Sequence, residues 1–145
     1  MNNKSTTYQF KEKRNWHLVD AKTDYLGRLS TNISKLLQGK HKSCYAPQLD
    51  CGDYVVVLNT RFLKVIHPAK LERKTYVSYS GYPGGIRKIN LKKLTECNPN
   101  EVIRKAVFNM LPKNKLRALR LNRLKLFQEE KEGRELYEAM KKKVD

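Results

Sequence analysis

The sequence predicts an α/β domain with a largely parallel sheet, and three observations carry that prediction. Residues 54–58, Tyr-Val-Val-Val-Leu, form an unbroken β-branched run bounded by Gly52 and Asn59. A run without alternation marks a strand covered on both faces, as strands of parallel sheets are. Ahead of it, Leu26, Leu29, Ile33, Leu36 and Leu37 fall within an arc of about 100° on a helical wheel. Beyond it, helical and extended patterns continue to alternate as far as residue 127, the arrangement of βαβ units.

The elements follow in order. Residues 16–20, Trp-His-Leu-Val-Asp, read as a short strand. Thr23 or Asp24 then caps a helix over 26–38, with Arg28 and Lys35 opposite its apolar stripe. Gly39 ends that helix as a left-handed C′ residue. Residues 40–53 read as a long loop that leads into the apolar run. Residues 62–66 and 75–79 are weaker strand candidates, and Gly81-Tyr82-Pro83-Gly84-Gly85 is a turn or loop. Asn98 caps the next helix, with Pro99 at its first position and Glu101 at its third. Val102, Ile103, Ala106, Val107, Met110 and Leu111 give it a broad apolar arc, and Pro112 stops it. From 113 to 125 leucines and cations interleave without a clean apolar face, and 124–127 reads as a last short strand.

At 145 residues the chain has the length of one domain and needs neither disulfide nor metal staples. Its 31 Lys and Arg against 14 Asp and Glu leave a net charge of +17. So large an excess repels itself unless a polyanion neutralises it, which disfavours a stand-alone enzyme for small neutral substrates. Residues 1–128 hold 26 cations against 8 acids, whereas 129–145 hold 5 against 6. The sequence therefore divides into a basic body, 1–128, and a charged C-terminal tail, 129–145, in which Leu136, Ala139 and Met140 can line a short helix. No apolar run is long enough to span a membrane, and no helix pairs a basic face with interfacial aromatics. The polar start, 1–15, has no secretory h-region.

The search for chemistry finds little. Gly39-Lys40 lacks the rest of a P-loop, and there is no dinucleotide fingerprint, nucleophile elbow or zincin motif. Cys44, Cys51 and Cys97 have no zinc spacing and read as reduced thiols. His17, His41 and His67 lie far apart in sequence and make no ligand pair, so neither metal nor cofactor is expected. Asp50 and Asp53 bracket Gly52 ahead of a buried strand, where they are expected to accept backbone N–H bonds or pair with nearby cations.

The cations are more informative. Lys40-His41-Lys42 beside Tyr45, Arg87-Lys88, and the 113–125 stretch put positive charge on three separate loops or helix ends. Such contacts bind phosphate and position more than they specify. With no DNA-binding motif present, contacts scattered along a whole chain suit a folded RNA. Arg28, Lys40, Lys42, Arg87, Lys88, Lys113, Arg120 and Arg123 are the leading RNA contacts, with His41 as a further donor. Lys35, Lys70, Lys74, Lys115 and Arg117 complete the set. Gly81, Gly84 and Gly85 either admit a phosphate close to the backbone or simply make the turn. Trp16 and the stripe of the first helix are assigned to the core. Two other functions fit the charge: an RNA-modifying enzyme, for which no titratable pocket is legible, and a free RNA chaperone, which a high-salt wash would separate from a stable particle.

An ordered set of motifs adds a family. Trp16, Val19-Asp20-Ala21, Leu26-Gly27-Arg28-Leu29, Gly39-Lys40-His41-Lys42, Tyr45, Pro47, Asp50 and Gly52-Asp53-Tyr54 are followed by Val55-Val56-Val57 and Asn59. Lys70, Lys74, Tyr76, Gly81 to Gly85, Ala106-Val107 and Met110-Leu111-Pro112-Lys113-Asn114 then stand in the same order. The chain resembles the bacterial-type ribosomal protein L-thirteen family over roughly residues 14–127. The resemblance implies a three-layer α/β/α fold with a mainly parallel four-stranded sheet. It also implies a non-catalytic constituent of the large ribosomal subunit that joins early in assembly. Its partners would be large-subunit rRNA and neighbouring large-subunit proteins, with no membrane and no small-molecule substrate. Its place would be the ribosome of the cytoplasm, and an organelle-encoded copy fits the same resemblance. Three departures stand out: Ile66-His67-Pro68-Ala69 in place of a Thr-Gly turn, Leu116-Arg117-Ala118 in place of Leu-Gly-Arg, and a charged stretch after residue 128 in place of His-Pro-His.

Overall fold

The computed structural model of the chain describes residues 14–142; the expectations for 1–13 and 143–145 lie outside them. Strand β1 (Trp16–Asp20) leads through a turn into helix α1 (Leu26–Gln38), and a long irregular loop reaches β2 (Tyr54–Leu58). After a single 3-10 turn come α2 (Pro68–Arg73), β3 (Thr75–Tyr79), β4 (Ile86–Asn90), α3 (Leu91–Cys97) and α4 (Pro99–Met110). The chain closes with α5 (Leu116–Asn122), β5 (Leu124–Leu126) and α6 (Glu130–Lys141).

The expected α/β class holds. Strands β1, β2 and β5 form a parallel sheet with β2 in the middle, and β3 and β4 pair antiparallel in a sheet of their own. The apolar run explains the central position of β2. Val55 and Val57 face the core with Leu29, Ile33, Leu37, Val102, Ile103 and Val107 of α1 and α4. Val56 and Leu58, also buried, point to the opposite face, where Gly133 of α6 meets Leu58 and Phe127. Both faces of β2 are thus covered, and neither needs polar residues. The tail that composition set apart contributes α6 to this second face, against β1 and β2.

Helix α1 buries Leu26, Leu29, Ile33 and Leu37 of the predicted stripe, with Leu36 half-buried, together with Ser30 and Ser34, whose hydroxyls donate to Leu26 O at 2.7 Å and Thr31 O at 2.9 Å. Leu29 is completely buried there, so Leu29→Ala is expected to lower the unfolding free energy by about 3 kcal/mol. A shifted urea midpoint with an unchanged slope is the readout.

Several local readings need correction. The residue that caps α1 is Tyr25, without a side-chain bond; Thr23 instead donates to Asp20 O at 2.8 Å and serves the turn after β1. The 62–66 segment is not a strand, because Asn59 (φ 59°) turns the chain into the 3-10 helix Thr60–Phe62 and leaves one parallel bridge, Tyr25 to Lys64. Residues 75–79 are extended as expected, but they pair with 86–90, a strand the sequence reading did not anticipate. Helices α2 and α3 were missed as well; both are short, and α2 buries none of its residues completely. Trp16 is only half-buried and stacks on Tyr54 with ring centroids 4.4 Å apart. Gly39 takes the left-handed C-cap (φ 79°), and Asn98 accepts from Glu101 N at 3.3 Å, both as the sequence indicates.

Candidate nucleic-acid interface

Two carboxylates organise the amino ends of the parallel strands. Asn15 precedes β1, Asp53 precedes β2 and Arg123 precedes β5, so the parallel register gathers these three positions at one edge. Asp53 is fully buried. Its Oδ1 accepts from Asn15 N at 3.0 Å and from Lys42 Nζ at 2.7 Å. Its Oδ2 lies 2.9 Å from Nε2 of both His17 and His41, whose rings meet edge to face. An ionised carboxylate only accepts, so both Nε2 atoms carry their protons and donate. Burial pushes the Asp53 carboxyl up, but bonds from Lys42, His17 and Asn15 and the Lys42 charge outweigh it and hold it below the usual value.

Asp50 sits at the second focus. Arg123 grips it in a bidentate pair, with Nη1 at 2.5 Å from Oδ2 and Nη2 at 2.6 Å from Oδ1. Arg14 Nη2 reaches Oδ2 at 3.4 Å, and Arg120 Nε lies 3.5 Å from Oδ1. Arg120 also donates to Leu49 O at 3.3 Å, and Arg123 to Leu37 O at 3.4 Å. Burial raises this carboxyl too; the Arg123 hydrogen bond and the charges of Arg123, Arg14 and Arg120 overcome it and lower the pKa. The expectation that Asp50 and Asp53 pair with nearby cations is met, and the partners are now named.

The same geometry divides the expected RNA contacts. Arg120 and Arg123 are buried in the chain, with side chains 1% and 6% exposed, and their guanidinium groups are turned to Asp50 rather than outward. Lys42 and His41 are engaged with Asp53, Lys42 half-buried and His41 at the surface. Arg117 is half-buried; its Nε donates to Pro112 O at 3.0 Å, and the guanidinium lies 4.4 Å over the Phe108 ring. The others face solvent: Arg28 and Lys35 on the open side of α1, Lys40 just past it, Lys70 in α2 and Lys74 at its C-terminus. Arg87 and Lys88 on β4, and Lys113 and Lys115 ahead of α5, are exposed too. Lys70 and Lys74 share one cleft with Leu26, Gly27 and Met110, which draws together α2, the start of α1 and the end of α4. Arg28 follows Gly27 directly, and Lys113 lies three residues past Met110.

The structure adds residues that the sequence reading passed over. Tyr79 and Tyr82 are 62% and 75% exposed on the β3–β4 hairpin that carries Arg87 and Lys88, with Val77 opposite Lys88. Aromatic faces beside cations are a stacking surface for unpaired bases. Their signal was the aromatic and cationic interleaving around the Gly-rich turn. Gly81 (φ 90°) and Gly84 (φ 74°) make that turn. Neither His17 nor Arg14 could be placed by spacing, since only strand pairing brings them to acids more than thirty residues away. Far apart in sequence, His17 and His41 are brought together by the same pairing and converge on one oxygen.

Fold and surface together define a small basic α/β protein that holds two carboxylates against its own cations and turns many of its other described lysines and arginines outward. The profile of the family described as ribosomal protein L13 matches residues 14–133. The chain belongs to this family. It is 47% identical over 124 residues to the large ribosomal subunit protein uL13 of Aquifex aeolicus, covering 83% of this chain and 85% of the relative. The protein of the same name from Pelobacter propionicus is 46% identical over 115 residues, 79% of this chain and 80% of the relative. That of Thermoanaerobacter pseudethanolicus is 47% identical over the same span, with the same coverage.

Proposed function

We propose that this protein is a structural constituent of the large ribosomal subunit, bound to large-subunit rRNA and neighbouring subunit proteins in the cytoplasm. It supports early subunit assembly and translation and catalyses nothing. The observation that carries the reading is the relatives' shared identity as large-subunit proteins over four fifths of the chain, together with the +17 charge. The body, 1–128, supplies the RNA contacts. Arg28, Lys35, Lys40, Lys70, Lys74, Arg87, Lys88, Lys113 and Lys115 are its outward cations, while Arg120 and Arg123 act through the loop they anchor. His41 stands at the surface beside Asp53, while Lys42 and Arg117, half-buried against Asp53 and Pro112 O, position the segments around the outward cations. The tail, 129–145, covers the sheet with α6 and leaves the charged face of that helix for a protein neighbour. The three-layer arrangement is supported by helices packed on both sides of β2.

Arg87→Ala/Lys88→Ala is expected to weaken binding to a large-subunit rRNA fragment about equally across sequences, and to lower the slope of log K against log salt by about 1–2. Filter binding between low and moderate salt reads this. An unchanged slope would remove the hairpin from the interface. In cells, sedimentation after a high-salt wash should leave the protein in the large-subunit fraction at about one copy per particle. Recovery at the top of the gradient would overturn the ribosomal reading.

A further inference from the structure

Two histidines and the buried carboxylate they share converge at the amino ends of the parallel strands. We infer that His17 Nε2, His41 Nε2 and Asp53 Oδ2 are a binding site for a divalent late first-row metal ion, zinc above all. The inference is independent of the ribosomal reading.

Three observations support it. The donor atoms lie within 4.8 Å of one another, and each imidazole nitrogen is 2.9 Å from the carboxylate oxygen. Zinc bonds of about 2.0–2.1 Å set neighbouring donors about 3.3 Å apart in a tetrahedron, so each His–Asp pair opens by about 0.4 Å while the imidazole nitrogens, within 4.8 Å of each other, close by up to about 1.5 Å. Next, the other carboxylate oxygen is already held, by Asn15 N and Lys42 Nζ. Bonds of this kind fix the orientation of a ligating carboxylate and leave one oxygen to the metal. Finally, Asp53 is wholly buried while the imidazoles are 31% and 34% exposed, so the rigid anchor lies inside and the entry side faces solvent. Two imidazoles and a carboxylate suit zinc better than magnesium or calcium, which take oxygen ligands. Three protein ligands leave a fourth position for water or an incoming donor.

To bind, each imidazole must carry its one proton on Nδ1 and turn the Nε2 lone pair to the metal, while the carboxylate exchanges two N–H donors for one cation. Lys42 opposes the metal by charge and positions its carboxylate by hydrogen bonding. Lys42→Gln keeps a donor without the charge, and is expected to tighten metal binding several-fold.

The test is a titration of the metal-free full-length chain with cobalt(II), followed by displacement with zinc(II). One equivalent per chain with visible d–d absorption is expected. His17→Gln and His41→Gln should each weaken binding more than about 100-fold, beyond the loss typical of an outer-shell change. His67→Gln should bind as the parent does. Zinc should raise the melting temperature of the parent but of neither His17→Gln nor His41→Gln. Imidazole 15N resonances in the unsubstituted chain read the same question without a variant: zinc should shift His17 and His41 and spare His67. Absence of the d–d spectrum, unshifted His17 and His41 resonances, or equal binding by the parent and both variants would each overturn the site.

Discussion

Asp50→Ala is expected to destabilise the chain by about 3–5 kcal/mol, a large share of what a domain of this size has. The side chain bridges Arg123, Arg120 and Arg14, and two of those guanidinium groups are almost wholly buried. Removing the anion leaves two cations without a counter-charge in a low-dielectric setting, which is worse than never having had the pair. The double variant Asp50→Ala/Arg123→Ala should therefore lose less than the sum of its two single changes, by more than about 1 kcal/mol. Urea unfolding of the four proteins provides the cycle, and additive losses would show that the pair is not coupled.

The same cluster sets an acid limit. The Asp50 carboxyl is lowered in the folded chain, so the folded state binds its proton more weakly than the unfolded chain does. The stability it adds is fully present above the unfolded value, about 3.9, and is lost as pH falls through the lower folded value. Acid unfolding of the parent should steepen below about pH 4, and Asp50→Asn should flatten that part of the profile.

Gly52→Ala is expected to cost about 3 kcal/mol or more, for a steric reason. A Cβ at Gly52 would lie 1.8 Å from Leu37 O and 2.6 Å from Leu37 C, both backbone atoms of the last turn of α1. Backbone cannot rotate aside as a side chain can. The 51–53 segment would have to lift from α1, pulling Asp53 from its partners on one side and Asp50 from Arg123 on the other. Gly27→Ala makes the matching comparison: nothing lies within 4 Å of a Cβ there, and the residue is helical. It should be stabilising by up to about 1 kcal/mol. Thermal melts of the two variants should move in opposite directions.

Much of the central fold was legible because it rests on local signals. The β-branched run at 54–58, the stripe on 26–38, the Gly39 stop and the Asn98-Pro99 start each state their conformation in a few residues. The β3–β4 hairpin gave weaker signals because it is largely exposed, and little apolar periodicity is written into it. Helices α2 and α3 are too short to display a stripe. The surface cations were easy to find and hard to sort. Nothing in the spacing of Arg120 and Arg123 says that both point inward at Asp50, 73 residues before Arg123. Nor does the chain order show that His17 and His41 share an oxygen. Those facts belong to strand register, which becomes readable only once the sheet is assembled.

The position of β2 between a strand made early and one made late fixes an order of events during synthesis. β1, α1 and β2 are translated first, yet Val55 must await Leu124, and Asp50 must await Arg123. Until then the central strand has one bare edge, and a carboxylate intended for the interior stays in water. An unfinished chain that ends at Pro112 has no β5 to cover that edge, and is expected to pair with whatever strand it meets. Completion of the polypeptide, rather than collapse of its first half, is the step that makes the molecule fit to assemble.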